Sequence, residues 1–330
     1  MASGVSIYDV ANLAGVSLGT VSRVLNGAPS VGDVTRQKVQ QAIDTLGYRP
    51  STIARSLARG ATKTLAMLVP ELNNPLFGDL AEGAQDAADD SDHVVLVYGI
   101  NGDPARERRY ISSVLDRNVD ALVLVGSILP AAELKPLIGR LPVVQIGRQQ
   151  DIPGSRIVDV DHELGARTAV QHLLSLGHRR IGMIEGAADN RAVEDRGRGF
   201  HAALDAAGVP ARERVVVRAP LDEAGGAAAM EQLLDLDARF TAVYVVTDLM
   251  ALGAMSALER NGVSVPREMS VIGFDDIRIS MHLPVPLTTV RQPSRDLGAA
   301  AVHLALDGID GESRILPTEL MVRASTAPPI

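Results

Sequence analysis

Along the first fifty residues the apolar positions recur at intervals of three and four. Ile7, Val10, Ala11 and Ala14 form one series, Val21, Val24 and Leu25 a second, and Val39, Ala42, Ile43 and Leu46 a third. This spacing predicts three short amphipathic helices. Polar and glycine residues punctuate them. Ser6 precedes the first series with Asp9 three residues on, the pattern of a reciprocal capping box. Gly15 suits the left-handed turn that ends a helix, and Ser17 can cap the second helix. The third helix should run from about Val34 to Leu46 and stop at Gly47. Pro50 then restricts Arg49 to an extended shape and closes the segment. Two helices joined by a tight glycine turn are the layout of a DNA-reading helix-turn-helix. Ser51 to Ala58 can form two further helical turns. That is too short to be stable alone in water, so this helix should fold only when docked on a partner and DNA.

From Thr64 the pattern changes. Short continuous apolar runs at 65–69, 94–98, 121–125 and 143–146 are followed by a second series at 181–184, 215–217, 242–246 and 271–274. Amphipathic stretches lie between them at 77–88, 106–117, 164–176, 196–207, 225–234 and 249–261. Such alternation predicts parallel sheets covered by helices, and the two series predict two similar lobes. The expected fold is thus an all-α helix-turn-helix headpiece followed by a two-lobed α/β core.

Charge sharpens this division. Residues 1–63 hold seven basic and three acidic residues, a net of +4, whereas the whole chain of 330 residues carries −8, which leaves −12 for the rest. A basic head on an acidic body is drawn to phosphate at one end and repelled at the other. A hydrophobic content of 46% supports a large core, and the absence of cysteine excludes disulfides and thiol chemistry. There is no signal-peptide pattern and no apolar run approaching about 20 residues, so a cytoplasmic protein without membrane contact is expected. Seven scattered histidines suggest no metal site, and no cofactor motif occurs. Gly15-Val16-Ser17-Leu18-Gly19 matches the nucleophile-elbow pattern literally, but a helix rather than a strand precedes it. No phosphate-binding loop or dinucleotide fingerprint occurs, and an enzyme is not expected.

Several stretches together resemble the lactose-repressor/galactose-repressor family of bacterial transcription regulators. They are Ser6-Ile7-Tyr8-Asp9-Val10-Ala11, Ala14-Gly15-Val16-Ser17, Thr20-Val21-Ser22-Arg23-Val24-Leu25-Asn26, Leu46-Gly47-Tyr48-Arg49-Pro50 and Ala54-Arg55-Ser56-Leu57-Ala58. The likeness covers almost the whole chain. It departs at Leu18-Gly19, where several relatives carry larger or more polar residues, and at Ser51, where the family often has asparagine. The resemblance implies a headpiece at 1–50, a hinge helix at 51–60 and a periplasmic-binding-protein-like core at 61–330. Within that core, lobe 1 would span about 61–160 and 292–322, and lobe 2 about 161–291 and 323–330. The chain would cross between lobes near Asp159, near Gln292 and near Arg323. It also implies that two hinge helices pack in the minor groove, with Leu57 as the wedge that bends the duplex.

Candidate residues follow from both readings. On the DNA side they are Tyr8, Ser17, Leu18, Gly19, Thr20, Ser22, Arg23, Asn26, Ser30, Thr35, Ser51, Ala54, Arg55 and Leu57. Arg23 should bond a guanine edge and Leu18 touch bases or a thymine methyl, while Tyr8, Asn26 and Thr35 hold phosphates. A near-palindromic operator read by two heads requires a twofold homodimer, and no leucine heptads beyond the core point to a tetramer. On the effector side, strand ends facing the interlobe cleft place Asn74, Phe77, Arg148, Asn190, Arg196, Asp248 and Asp275. The resemblance marks Arg196 and Asp275 as recurrent effector contacts. A small polar metabolite such as a sugar or nucleoside should bind there and control operator affinity, with release by ligand implied by the resemblance. The alternative is a solute-binding protein of the transport type, which the headpiece and the missing export signal oppose.

Overall fold

Ser6 closes the start of the first helix from both sides. Its hydroxyl accepts the Asp9 N–H at 3.4 Å, and the Asp9 carboxylate accepts the Ser6 N–H at 2.8 Å. The resulting helix α1 (Ile7–Ala14) ends at Gly15 with φ 66°. α2 (Leu18–Leu25) starts where the Ser17 hydroxyl accepts the Thr20 N–H, and α3 (Asp33–Leu46) ends at Gly47 with φ 60°. Val10, Val21 and Val39 meet at the centre of the three helices and are fully buried. The computed structural model describes residues 5–25, 28, 30–48, 61–186, 190–236, 240–307 and 312–330. Asn26 and the expected hinge helix at 51–60, with Ser51, Ala54, Arg55 and Leu57, lie outside the described residues. The chain divides into two units, Met1–Lys63 and Thr64–Ile330.

The second unit contains two six-stranded sheets built to one plan. In lobe 1, β1 (Thr64–Val69), β2 (Val94–Gly99), β3 (Ala121–Val125), β4 (Val143–Ile146), β5 (Arg156–Val160) and β11 (Arg314–Leu316) pair in the order β2-β1-β3-β4-β5-β11, all parallel. In lobe 2, β6 (Ile181–Gly186), β7 (Val215–Ala219), β8 (Ala242–Val245), β9 (Ser270–Asp275), β10 (Thr288–Arg291) and β12 (Glu319–Met321) repeat that order, with β12 antiparallel to β10. The central strands are apolar on both faces because helices cover both.

Those helices are α4 (Pro75–Asp89), α5 (Pro104–Asp116), α6 (His162–Ser175), α7 (Arg191–Ala206), α8 (Glu223–Asp235), α9 (Asp248–Arg260) and α10 (Ser294–Leu306). Most begin earlier than the apolar period indicates. Asn74, Asp103, Asp161, Asn190, Asp222 and Thr247 each accept a first-turn N–H and so set the true start. Paired helices cross where glycine removes the side chain. A Cβ at Gly83 would sit 2.0 Å from the Arg295 carbonyl oxygen, and one at Gly298 would sit 2.0 Å from that of Leu80. Lobe 2 repeats the device between α8 and α9 at Gly226 and Gly253.

The chain passes from the lobe 1 sheet to the lobe 2 elements after β5, at 160–162, and returns after β10, at 291–294. The third crossing does not fall at Arg323. Glu319–Met321 pairs with β10 in lobe 2, so the chain crosses between Leu316 and Glu319. The two short strands form one apolar-polar stretch in the sequence, and only their pairing separates them.

Candidate functional site

The carboxyl ends of the parallel strands and the first turns of α4, α6 and α7 enclose a cavity of about 390 Å³. Arg196 and Asp275 meet at its floor, each 4% exposed. Arg196 Nη1 lies 3.2 Å from Asp275 Oδ1 and donates to the Val246 carbonyl at 2.5 Å. Its guanidinium carbon stands 3.8 Å over the Phe274 ring, a cation–π contact. Gln292 from the second crossing donates its amide to Asp275 Oδ1 at 2.6 Å. Among the described residues, Arg196 Nη2 and Asp275 Oδ2 take no hydrogen-bond partner. Both residues line the cavity, so a donor and an acceptor remain there together. Burial pushes the Asp275 carboxyl up, and Arg196 and Gln292 pull it back toward the ionised form.

His162 joins this group from the first crossing. Its Nδ1 accepts from Arg196 Nε at 3.3 Å, and its Nε2 lies 3.1 Å from Asp159 Oδ1. Burial pushes its pKa down; Asp159 opposes this shift and Arg196 reinforces it. A neutral ring carrying its proton on Nε2 satisfies both neighbours. One polar chain therefore runs from Asp159 in lobe 1 through His162 and Arg196 to Asp275 in lobe 2.

The other expected effector residues divide. Asn74 and Asn190 line the cavity, and each uses its side-chain carbonyl as a helix cap, on the Leu76 and Val193 N–H groups. Phe77 supplies an apolar wall. Arg148 also lines the cavity, but its guanidinium pairs with Asp151. Asp248 is a correction. It is fully buried behind the cleft, accepting from Thr289 Oγ1 at 2.6 Å and from the Ile277 N–H at 3.0 Å. Its place at the first position of α9 turns the carboxylate inward against β9 and β10, where it holds the chain after β9.

Burial, followed by the nearby Asp275 charge, pushes the Asp248 carboxyl well above the ordinary range. A folded pKa above the unfolded one means stability is full at low pH and is lost as pH rises through the folded value. Asp248→Asn, which can still accept from Ile277 and can donate to Thr289, is expected to be more stable than wild type at neutral pH. That advantage should shrink on acidification, as pH-dependent urea unfolding would show.

Sequence reasoning missed Asp159, His162, Gln149, Arg191 and Gln292. Arg191 reads as surface in the sequence, yet it begins α7 and lines the cavity, its N–H donating to Gln149 Oε1 of lobe 1 at 3.0 Å. A usable signal existed for His162, since it follows the helix cap Asp161 directly after a strand.

In the headpiece, α2 turns Val21 and Val24 inward and leaves Gly19 and Arg23 exposed. Ser22 and Thr20 are half-buried, and the Thr20 hydroxyl bonds that of Ser17, which is exposed. Tyr8 is 63% exposed; Ser30 is exposed and Thr35 half-buried. Leu18 departs from the expected outward pose. It is half-buried and packs against the headpiece core.

The sequence pattern of bacterial regulatory proteins of the lacI family matches residues 6–51, and that of the periplasmic binding protein-like domain matches residues 170–326. The HTH-type transcriptional regulator GalR of Salmonella typhimurium is 39% identical over 304 residues, which cover 91% of this chain and 88% of GalR. This chain belongs to the LacI family of bacterial regulatory proteins. It is a DNA-binding transcriptional regulator with a periplasmic-binding-protein-like core, and its relatives are regulators rather than enzymes. The lac repressor dimer bound to operator and the anti-inducer ONPF shares its fold with a TM-score of 0.88 at 28% identity, covering 98% of this chain and 100% of that one. The transcriptional regulator CelR–cellobiose complex gives 0.73 at 33% identity, covering 97% and 99%. Among the described residues of this LacI-family regulator, no helix is long and apolar enough to cross a membrane, and no His/Asp/Glu group could hold a metal ion.

Proposed function

We propose that the cleft binds a small, uncharged polyhydroxyl effector, a sugar or nucleoside, and that this binding controls the affinity of the headpiece for a near-palindromic operator. The observation that carries the reading is the buried Arg196–Asp275 pair lining the cavity, with Arg196 Nη2 and Asp275 Oδ2 unpartnered among the described residues. A hydroxyl can accept from the first and donate to the second, and charge-assisted bonds of this kind are the strong ones. Asn74 and Asn190 have their caps made through oxygen and keep their NH₂ groups for the ligand, while Phe77 lies against its apolar face. Arg148 already has Asp151, and Glu71, Asp159, Asp161 and Asp195 line the same cavity, which disfavours an anion such as a sugar phosphate. CelR, with cellobiose bound, is a relative of the kind this reading describes.

A thermal-shift screen with D-ribose, cellobiose, nucleosides and sugar phosphates tests the proposal. A bound effector at about 100 times its Kd stabilises by roughly 2.7 kcal/mol. A shift with a neutral polyol or nucleoside is expected, and a response to sugar phosphates alone would overturn the reading.

On the DNA side, Arg23 reads a guanine edge from the exposed face of α2, with Gly19 beside it keeping the approach open. Tyr8 and Thr35 set register on phosphates, as Asn26 would, and Ser17, Thr20, Ser22 and Ser30 surround them. Leu57 wedges the minor groove between two copies of a homodimer, beside Ser51, Ala54 and Arg55, with the protein acting on DNA in the cytoplasm. Arg23→Ala is expected to cost about 1–3 kcal/mol of operator affinity and to blur one base position. Binding curves against single-base operator variants check this, and an unchanged preference would remove Arg23 from the reading set.

A further inference from the structure

Asp276 has no place on the cleft, yet its side chain is only 4% exposed and it holds two arginines. Its Oδ2 accepts from Arg291 Nε at 2.8 Å, and its Oδ1 pairs with Arg323 Nη2. Arg323 also donates to the Leu287 carbonyl at 2.8 Å and to Ser280 Oγ at 3.2 Å, while Arg291 reaches Glu319 at 3.4 Å. These residues mark where the lobes are joined. Arg291 ends β10, directly before the crossing into α10, and Glu319 begins β12, directly after the crossing from β11.

The neighbouring Asp275 holds the same region from the other side, through Gln292 inside the second crossing. Both aspartates have positive φ, 125° at Asp275 and 58° at Asp276. Such backbone is unfavourable for a non-glycine residue and persists only where its surroundings over-determine it. Here the surroundings are the two ion-paired carboxylates. One strained dipeptide therefore sends one carboxylate into the cleft and the other to the strand ends at two of the three crossings.

We propose that Asp276 is a positioning residue for the effector response. Its ion pairs fasten the ends of β10 and β12, and through the shared backbone they fix the direction of the Asp275 carboxylate and the place of Gln292. An effector hydroxyl that pulls on Asp275 then loads the crossings directly, which gives the ligand different contacts in different lobe arrangements, as any ligand-driven shift requires. The proposal rests on Asp275 facing the effector.

Hydrogen exchange on the full chain without ligand tests it, using Asp276→Asn and the milder Arg291→Gln, whose side chain is 41% exposed. Peptides over 288–294 and 316–323 are expected to exchange at least about tenfold faster in Asp276→Asn and to a smaller extent in Arg291→Gln, with α8 and α9 unchanged. Equal protection at the crossings in both variants, or acceleration spread evenly over lobe 2 in Arg291→Gln, would overturn the proposal. Titrations with D-ribose and cellobiose add a second readout. Asp276→Asn should weaken whichever sugar binds about tenfold, whereas Asp248→Asn should not, and equal affinity in wild type and Asp276→Asn would count against the proposal. If neither sugar binds wild type, that result counts against the polyol reading for these probes, and the exchange data still decide this inference.

Discussion

Arg196→Ala should abolish effector binding and lower stability by about 3–5 kcal/mol, the cost of leaving a buried charge without its partner. The partner left behind is Asp275, 4% exposed and held then by Gln292 alone. Three other contacts go with it: the Val246 carbonyl, His162 Nδ1 and the face of Phe274. Arg196→Lys separates charge from shape. A lysine keeps the positive charge but is a point donor, and it cannot reach His162, Val246 and a ligand hydroxyl at once as the planar fork does. It should recover part of the stability and little of the binding. Urea unfolding and effector titration on the same samples give both quantities, with operator binding of the folded fraction retained. Wild-type effector affinity in Arg196→Ala would remove the floor of the cavity from the binding site.

Gly253→Ala carries the second large effect. A Cβ there would lie 1.8 Å from the Glu223 carbonyl oxygen and 2.8 Å from the Ala227 nitrogen, both backbone atoms of α8. Neither is the end of a flexible side chain, so the two helices must move apart as bodies. Gly226 lies against α9 in the same way, where a Cβ would sit 2.0 Å from the Met250 carbonyl oxygen, and the separation breaks both contacts. Overpacking of this kind typically costs 1–3 kcal/mol, and a loss of about 3 kcal/mol is expected here. Gly78→Ala is the control with opposite sign. Gly78 lies exposed in α4 with nothing within 4 Å of its Cβ position, so alanine should gain roughly 0.5–1 kcal/mol. Melting curves that rank Gly253→Ala at or above wild type would contradict the close crossing of α8 and α9.

The two kinds of residue, readable and unreadable, differ in how far their partners lie along the chain. The headpiece was legible because its determinants are local. Ser6 and Asp9 are three residues apart, Gly15 and Gly47 act on their own helices, and within each helix the apolar positions recur at three and four. The core strands were legible for a similar reason, since a sheet covered on both faces demands continuous apolar runs. The short strands β5, β10, β11 and β12 escaped because their residues are half polar, and β11 and β12 also depend on a neighbour far off in sequence. β12 joins lobe 2 through Thr289 and Val290, some thirty residues away.

The class of the protein, a DNA-reading head on a two-lobed α/β core, is legible from the chain alone, because caps, periods and charge division are properties of short segments. Which strand-end residues line the cavity is set by contacts between distant segments. Asp248 and Asp275 each stand at a strand end on the cleft side of lobe 2 and are indistinguishable by local pattern. The first is turned under β9 and β10 to hold Ile277 and Thr289, while the second meets Arg196, reached from a helix begun eighty residues earlier. His162 enters the site because it stands at the first crossing, three residues after Asp159, where α7 brings Arg196 to its other ring nitrogen. The direction of a side chain at a strand end depends on the φ of one residue and on the charge that meets it, and both are set by contacts between segments distant in the chain.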